Sequence, residues 1–177
     1  SHLAHERFNR CGGFIQLYDS EDAESFWSNR DLAFAAQKSR ALDYSINQEN
    51  QVKALLKEVK EPNIRQVISK LSSYRNRYYT SDTGVESQVW LHKHWQSLAK
   101  NRSDVRVYRW KHKNWPQDSI VMEIKGKSSD KIVVGGHGDS VAGWWSRERS
   151  RAPGADDNAS GIATISEIIK VLIDSNY

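Results

Sequence analysis

His137 and Asp139 stand two positions apart at the end of the run Ile132-Val133-Val134-Gly135-Gly136, and Asp156 and Asp157 stand side by side shortly afterwards, directly before a helical pattern. An imidazole can ligate a metal through one ring nitrogen while a carboxylate two residues on accepts the proton of the other, which fixes the ring's orientation. Adjacent carboxylates such as Asp156 and Asp157 crowd negative charge. A helix N-terminus offsets part of it, and a divalent cation would offset far more. The same residues also admit a purely structural reading. Asp157 or Asn158 caps the following helix, and His137 is a hydrogen-bonded core histidine. Residue type and spacing alone leave both readings standing.

The elements that would position these residues follow from hydrophobic periodicity. Val52, Leu55, Leu56 and Val59 share one face of a helix over Gln48 to Val59, and Ile64, Val67, Ile68 and Leu71 share one face of a second over Pro62 to Leu71, where Pro62 suits a first turn. The loop "NRYYTSDTG" separates these from a third helix, Val85 to Ala99, with Leu91, Trp95 and Leu98 on its inner face. His92 and His94, two apart on that helix, point to different faces and read as surface histidines rather than a metal pair. Two strand-like runs, Val105 to Trp110 and Ser119 to Ile124, flank the turn "KNWPQD". Ile132 to Val134 reads as a third strand, buried on both faces, delivering His137 to the sheet's carboxyl edge. A long loop, "SVAGWWSRERSRAPGADDN", leads into a helix over "ASGIATISEIIKVLID" with Ile162, Ile165, Ile169 and Leu172 inward.

Composition narrows the class. The 177 residues are 38% hydrophobic and 27% charged, which suits a globular domain with an appended segment better than a disordered chain. No apolar run reaches the roughly 18 residues of a membrane span, so no membrane partner is expected. The lone cysteine, Cys11, excludes an internal disulfide and a cysteine-based zinc site. A net charge of +4 is spread along the chain; Trp144, Trp145, Arg147, Arg149 and Arg151 form a solvated flap rather than a nucleic-acid surface, and no nucleic-acid partner is expected. Ser140 and Ser160 lack a nucleophile elbow, which argues against a serine hydrolase. The sequons at Asn101 and Asn158 are short enough to arise by chance.

"GGHGDS" followed in order by "APGADDNASGIA" resembles the secreted zinc leucyl aminopeptidases, exopeptidases with two co-catalytic zinc ions. "ISKLSSYRNRYYTSDTGVESQVWLHKHWQSLA" is similar to the start of their mature domain, so the resemblance is strongest from residue 62. "RCGGF" looks like the end of their propeptide. The resemblance implies a propeptide-like segment, 1–45, and the first half of a catalytic domain, 46–177. That domain would be an α/β three-layer sandwich with a central mixed β-sheet.

The resemblance further implies that His137 ligates one zinc, that Asp156 bridges two, that Asp139 orients His137, and that a cis peptide joins Asp156 to Asp157. The general base and the remaining ligands are expected beyond residue 177, in the other half of the domain, whether on this chain or on a second one. The implied substrate is a peptide with a free N-terminus, attacked by a metal-activated water in a secreted, zymogen-derived enzyme. The alternative is a non-catalytic binding or inhibitory module.

Overall fold

The computed structural model describes residues 45–100, 102–128, 132–143 and 145–175. The segment expected as a propeptide lies outside them apart from Ser45, as do Asn101 and Trp144. From Gln48 onward the described chain forms one compact unit.

Helix α1 spans Glu49–Leu56, shorter at its end than the periodicity predicts, and carries no buried residue. Val52 and Leu56 on it are open to solvent, as is Val59 beyond its end. Helix α2, Glu61–Ser73, has Pro62 in its first turn, where a missing N–H costs nothing, and buries Val67 and Leu71. Its start is tied to a distant element: Glu167 Oε1 accepts from Lys60 N at 2.6 Å and from Asn63 Nδ2 at 3.3 Å. Helix α3, Asp82–Ala99, begins earlier than expected because Ser81 caps it, accepting from Gly84 N at 3.0 Å. Only glycine fits at that position, since a Cβ on Gly84 would lie 1.9 Å from the Tyr78 carbonyl oxygen.

Strands β1, Val105–His112, and β2, Trp115–Ile124, pair antiparallel from Val105 opposite Ile124 to His112 opposite Trp115. Strand β2 starts within the predicted turn, and Pro116 near its first residue leaves most of the ladder intact. A short π-type turn, Ala155–Ala159, leads into helix α4, Ser160–Asp174. Val67 and Leu71 of α2, Leu91 and Trp95 of α3, and Ala159, Ile162, Ala163, Ile169 and Ile173 form the core, over which Val105, Val107, Ile120 and Met122 of the hairpin pack. One polar pair sits among them: Trp95 Nε1 donates to Ser166 Oγ at 2.9 Å, linking α3 to α4.

The architecture is α/β, as expected, and its sheet among the described residues is the two-stranded hairpin. The third strand is not formed. Ile132 and Val133 are 95% and 89% exposed and belong to no ladder. An apolar extended segment is buried only when strands pair on its flanks and helices cover its faces, and no described residue pairs with this one. His137 therefore sits on a loop rather than at the end of a sheet strand.

Candidate active site

Two loops and a helix start bring the candidate residues together. The first loop carries Gly136 to Ser140, and the second carries Ala152 to Gly154 into the π-type turn. Gly136 lies against α4, where a Cβ would come 3.1 Å from Asn158 Nδ2 and 3.4 Å from Ile165. Gly154 adopts the left-handed conformation, φ 54°, which turns the chain toward the helix. Within the turn Asp157 (φ −111°, ψ 89°) and Asn158 (φ −135°, ψ 42°) leave helical geometry altogether. That excursion swings the Asp157 carboxylate away from the α4 axis and toward the first loop.

His137 is held from both sides. Its Nδ1 donates to Asp139 Oδ1 at 3.1 Å, with the Asp139 carbonyl 3.2 Å away, and its Nε2 lies 2.8 Å from Asp157 Oδ1. The hydrogen bond to Asp139 raises the histidine's proton affinity above its ordinary value; partial burial opposes this, and the charges of Asp139 and Asp157 add to it. All three side chains remain about half exposed, so the cluster opens to solvent.

Sequence reasoning expected Asp156 at this place, and the geometry brings its neighbour instead. Asp157 meets His137, whereas Asp156 offers its backbone carbonyl to Ser160 Oγ at 2.7 Å and has no carboxylate partner among the described residues. The cis peptide likewise lies one bond on, between Asp157 and Asn158. The capping reading holds for the fourth residue of the turn: Asn158 Oδ1 accepts from Gly161 N at 3.0 Å. Ser140 is buried, its hydroxyl donating to Ala152 O at 2.7 Å and accepting from Arg77 N at 2.9 Å, so it is engaged in joining the loops.

Sequence reasoning missed a whole segment, residues 75–77, which runs behind both loops. Ala152 N donates to Arg75 O at 2.7 Å, and Asn76 Nδ2 donates to Glu148 O and Ser150 O at 2.8 and 2.9 Å. The Arg77 side chain is 1% exposed and reaches Gly138 O, Pro153 O and Gly154 O. No local pattern distinguishes this arginine from any other in a loop.

His137 Nε2 and Asp157 Oδ1 are donors of the kind zinc takes, and Asp139 on the far ring nitrogen supplies the orienting carboxylate such a histidine ligand usually has. The described residues hold no group of three or more metal-binding side chains, so this pair fits as two ligands of a larger set.

The chain is similar in sequence and in fold to known proteins. The profile described as Peptidase family M28 matches residues 119–177. A probable leucine aminopeptidase of Arthroderma benhamiae is 39% identical over 136 residues, an alignment covering 77% of this chain and 37% of that protein. One from Trichophyton verrucosum is 38% identical over 161 residues, covering 91% of this chain and 42% of that protein. The chain thus spans about two fifths of the length of these curated relatives. Among solved structures, LapB from Legionella pneumophila superposes with a TM-score of 0.70 at 26% identity, covering 100% of this chain and 57% of that one. The LapA aminopeptidase of the same organism gives 0.68 at 34% identity, covering 76% and 36%. By this profile match, by the similarity to the leucine aminopeptidases and by the fold shared with LapA and LapB, the chain belongs, through residues 119–177, to peptidase family M28.

Proposed function

We propose that this chain contributes to a secreted zinc aminopeptidase that removes N-terminal residues from peptides, and that His137 and Asp157 are two of its metal ligands. The observation that carries the reading is the placement of His137 between two carboxylates, one on each ring nitrogen. M28 is in general a metal-dependent family, and the leucine aminopeptidase names of the relatives support a leucyl substrate. Asp157, whose carboxylate meets His137, would serve as the ligand where the resemblance alone names Asp156.

Each residue's part follows from its contacts. Asp139 accepts the Nδ1 proton, which leaves the Nε2 lone pair directed at the metal position and keeps the ring from rotating. Asp157 presents a carboxylate to the same position from the opposite loop. Bound zinc would polarise the scissile carbonyl and acidify a water molecule. The general base, expected to be a glutamate, and the remaining ligands would come from residues outside those described. Residues 1–45 would act as the zymogen's propeptide.

The test uses the intact protein. Zinc content is measured together with hydrolysis of leucine p-nitroanilide, before and after chelation and after zinc is restored. Loss on chelation and recovery with zinc are expected. Activity that survives complete metal removal would overturn the metal reading, and an intact protein that binds peptide without cleaving it would favour the non-catalytic module.

A further inference from the structure

We infer that Arg77 is a positioning residue of this site: by holding the carbonyls of Gly138, Pro153 and Gly154, its guanidinium sets the separation between the His137 loop and the Asp157 turn. The inference rests on the proposed function for its catalytic consequence, but its geometry stands separately. Arg77 Nε donates to Gly138 O at 2.9 Å, Nη1 to Pro153 O at 2.5 Å and to Leu71 O at 3.1 Å, and Nη2 to Gly154 O at 3.0 Å. Gly138 lies between His137 and Asp139, and Gly154 opens the turn that carries Asp157. One rigid planar group therefore fixes both loops against the last turn of α2.

A buried guanidinium with no directly paired carboxylate among the described residues is costly to desolvate. Burial lowers its pKa, and the charges of Asp139 and Asp157 oppose that loss. The cation thus lies behind the site and is attracted to both of its carboxylates. The surroundings are shaped to admit it. A Cβ on Gly154 would come 2.8 Å from Arg77 Nη2, so a side chain at that position would crowd the fork. Ser140 Oγ makes a second link between the same parts, from Arg77 N to Ala152 O. Lysine keeps the charge but has neither the planar fork nor its reach to several carbonyls at once.

A residue that only holds the fold together would show a different pattern, and the experiment separates the two. Arg77→Lys and Ser140→Ala are made in the intact protein, with Leu91→Ala as a control that opens a cavity in the core without touching either loop. Three quantities are read: amide hydrogen exchange of the metal-free protein, zinc affinity by chelator competition, and kcat and KM for leucine p-nitroanilide. For Arg77→Lys, exchange should quicken over residues 138–140 and 152–158, with zinc affinity weaker by about 10- to 100-fold, as for lost supports of metal ligands. Its kcat should fall with KM nearly unchanged, the mark of an interaction that matters in the transition state. Ser140→Ala should show the same local exchange signature more weakly, which keeps the test valid if Arg77→Lys folds poorly. Leu91→Ala should lower thermal stability with zinc affinity intact.

If Arg77→Lys or Ser140→Ala behaves like Leu91→Ala, losing stability without local exchange or zinc effects, Arg77 has only a structural role and the inference is overturned. If the wild-type protein binds no zinc, the metal reading fails by itself, and the exchange data still decide whether Arg77 sets the loops.

Discussion

Replacing each of three neighbouring aspartates by asparagine separates their roles, because the change keeps shape and removes only charge. The 2.8 Å contact between Asp157 and His137 is charge-assisted, a class worth about 1.5 to 3 kcal/mol when shielded. Both side chains are nearly half exposed, so solvent screening reduces this to about 1 kcal/mol or less. Against a typical domain stability of about 5 to 15 kcal/mol, Asp157→Asn should leave the protein folded. Its effect on metal should be far larger. Loss of a carboxylate that merely orients a ligand weakens metal binding by about 10- to 100-fold, and this is the expected cost of Asp139→Asn. Asp157→Asn removes a proposed ligand and should exceed it. Asp156→Asn should change zinc affinity by less than about threefold, since Asp156 meets its surroundings through its carbonyl, which asparagine retains.

The assay is zinc retained per intact protein under graded chelator competition, with thermal melts of the metal-free variants run alongside. The ranking expected is Asp157→Asn most damaging, then Asp139→Asn, then Asp156→Asn, with melting temperatures close together. If Asp156→Asn loses the most zinc while Asp157→Asn retains it, the reasoning from the turn's geometry is refuted.

Two further outcomes concern stability. Glu167 is 4% exposed and anchors α4 to the start of α2 through Lys60 N and Asn63, so Glu167→Gln should lower urea-unfolding stability by about 1 kcal/mol; an equally stable variant would show that desolvating the carboxylate cancels its bonds. His94, half buried and stacked on Trp90, has its pKa lowered by burial. The unfolded chain therefore binds this proton more readily, and stability should fall as pH drops through the ordinary histidine range toward the folded value, with His94→Gln flattening that slope; an unchanged slope in denaturant titrations at several pH values would count against it.

Much of the fold was legible because amphipathic periods report directly on burial. The inner faces predicted from Val67 and Leu71, from Leu91 and Trp95, and from Ile162 and Ile169 are those that form the core. Ile132 to Val134 failed the same logic. Apolar character marks what a segment can bury, and only partner strands decide whether it does so. The site was legible as a pair of motifs but not at the level of single residues. Asp156 and Asp157 are chemically identical in sequence, and which one faces His137 depends on a turn whose backbone leaves helical geometry at Asp157. The two adjacent side chains divide the possibilities seen in the sequence, since Asn158 accepts from Gly161 N while the Asp157 carboxylate meets His137.

Arg77 shows why motif reasoning stops where it does. Its acceptors are backbone carbonyls 61, 76 and 77 positions away, and a carbonyl carries no sequence identity that a motif could record. Gly154, whose missing Cβ leaves room for the guanidinium, does sit inside the second motif, but nothing in the sequence ties it to an arginine 77 positions away. The two loops that carry the candidate residues have few apolar residues with which to hold each other in place. A third segment, with no reactive group of its own in the cluster, supplies that frame from the junction of α2 and α3. A substitution there should therefore act on metal affinity through geometry, which is why Arg77→Lys, a change that preserves charge, is the informative one.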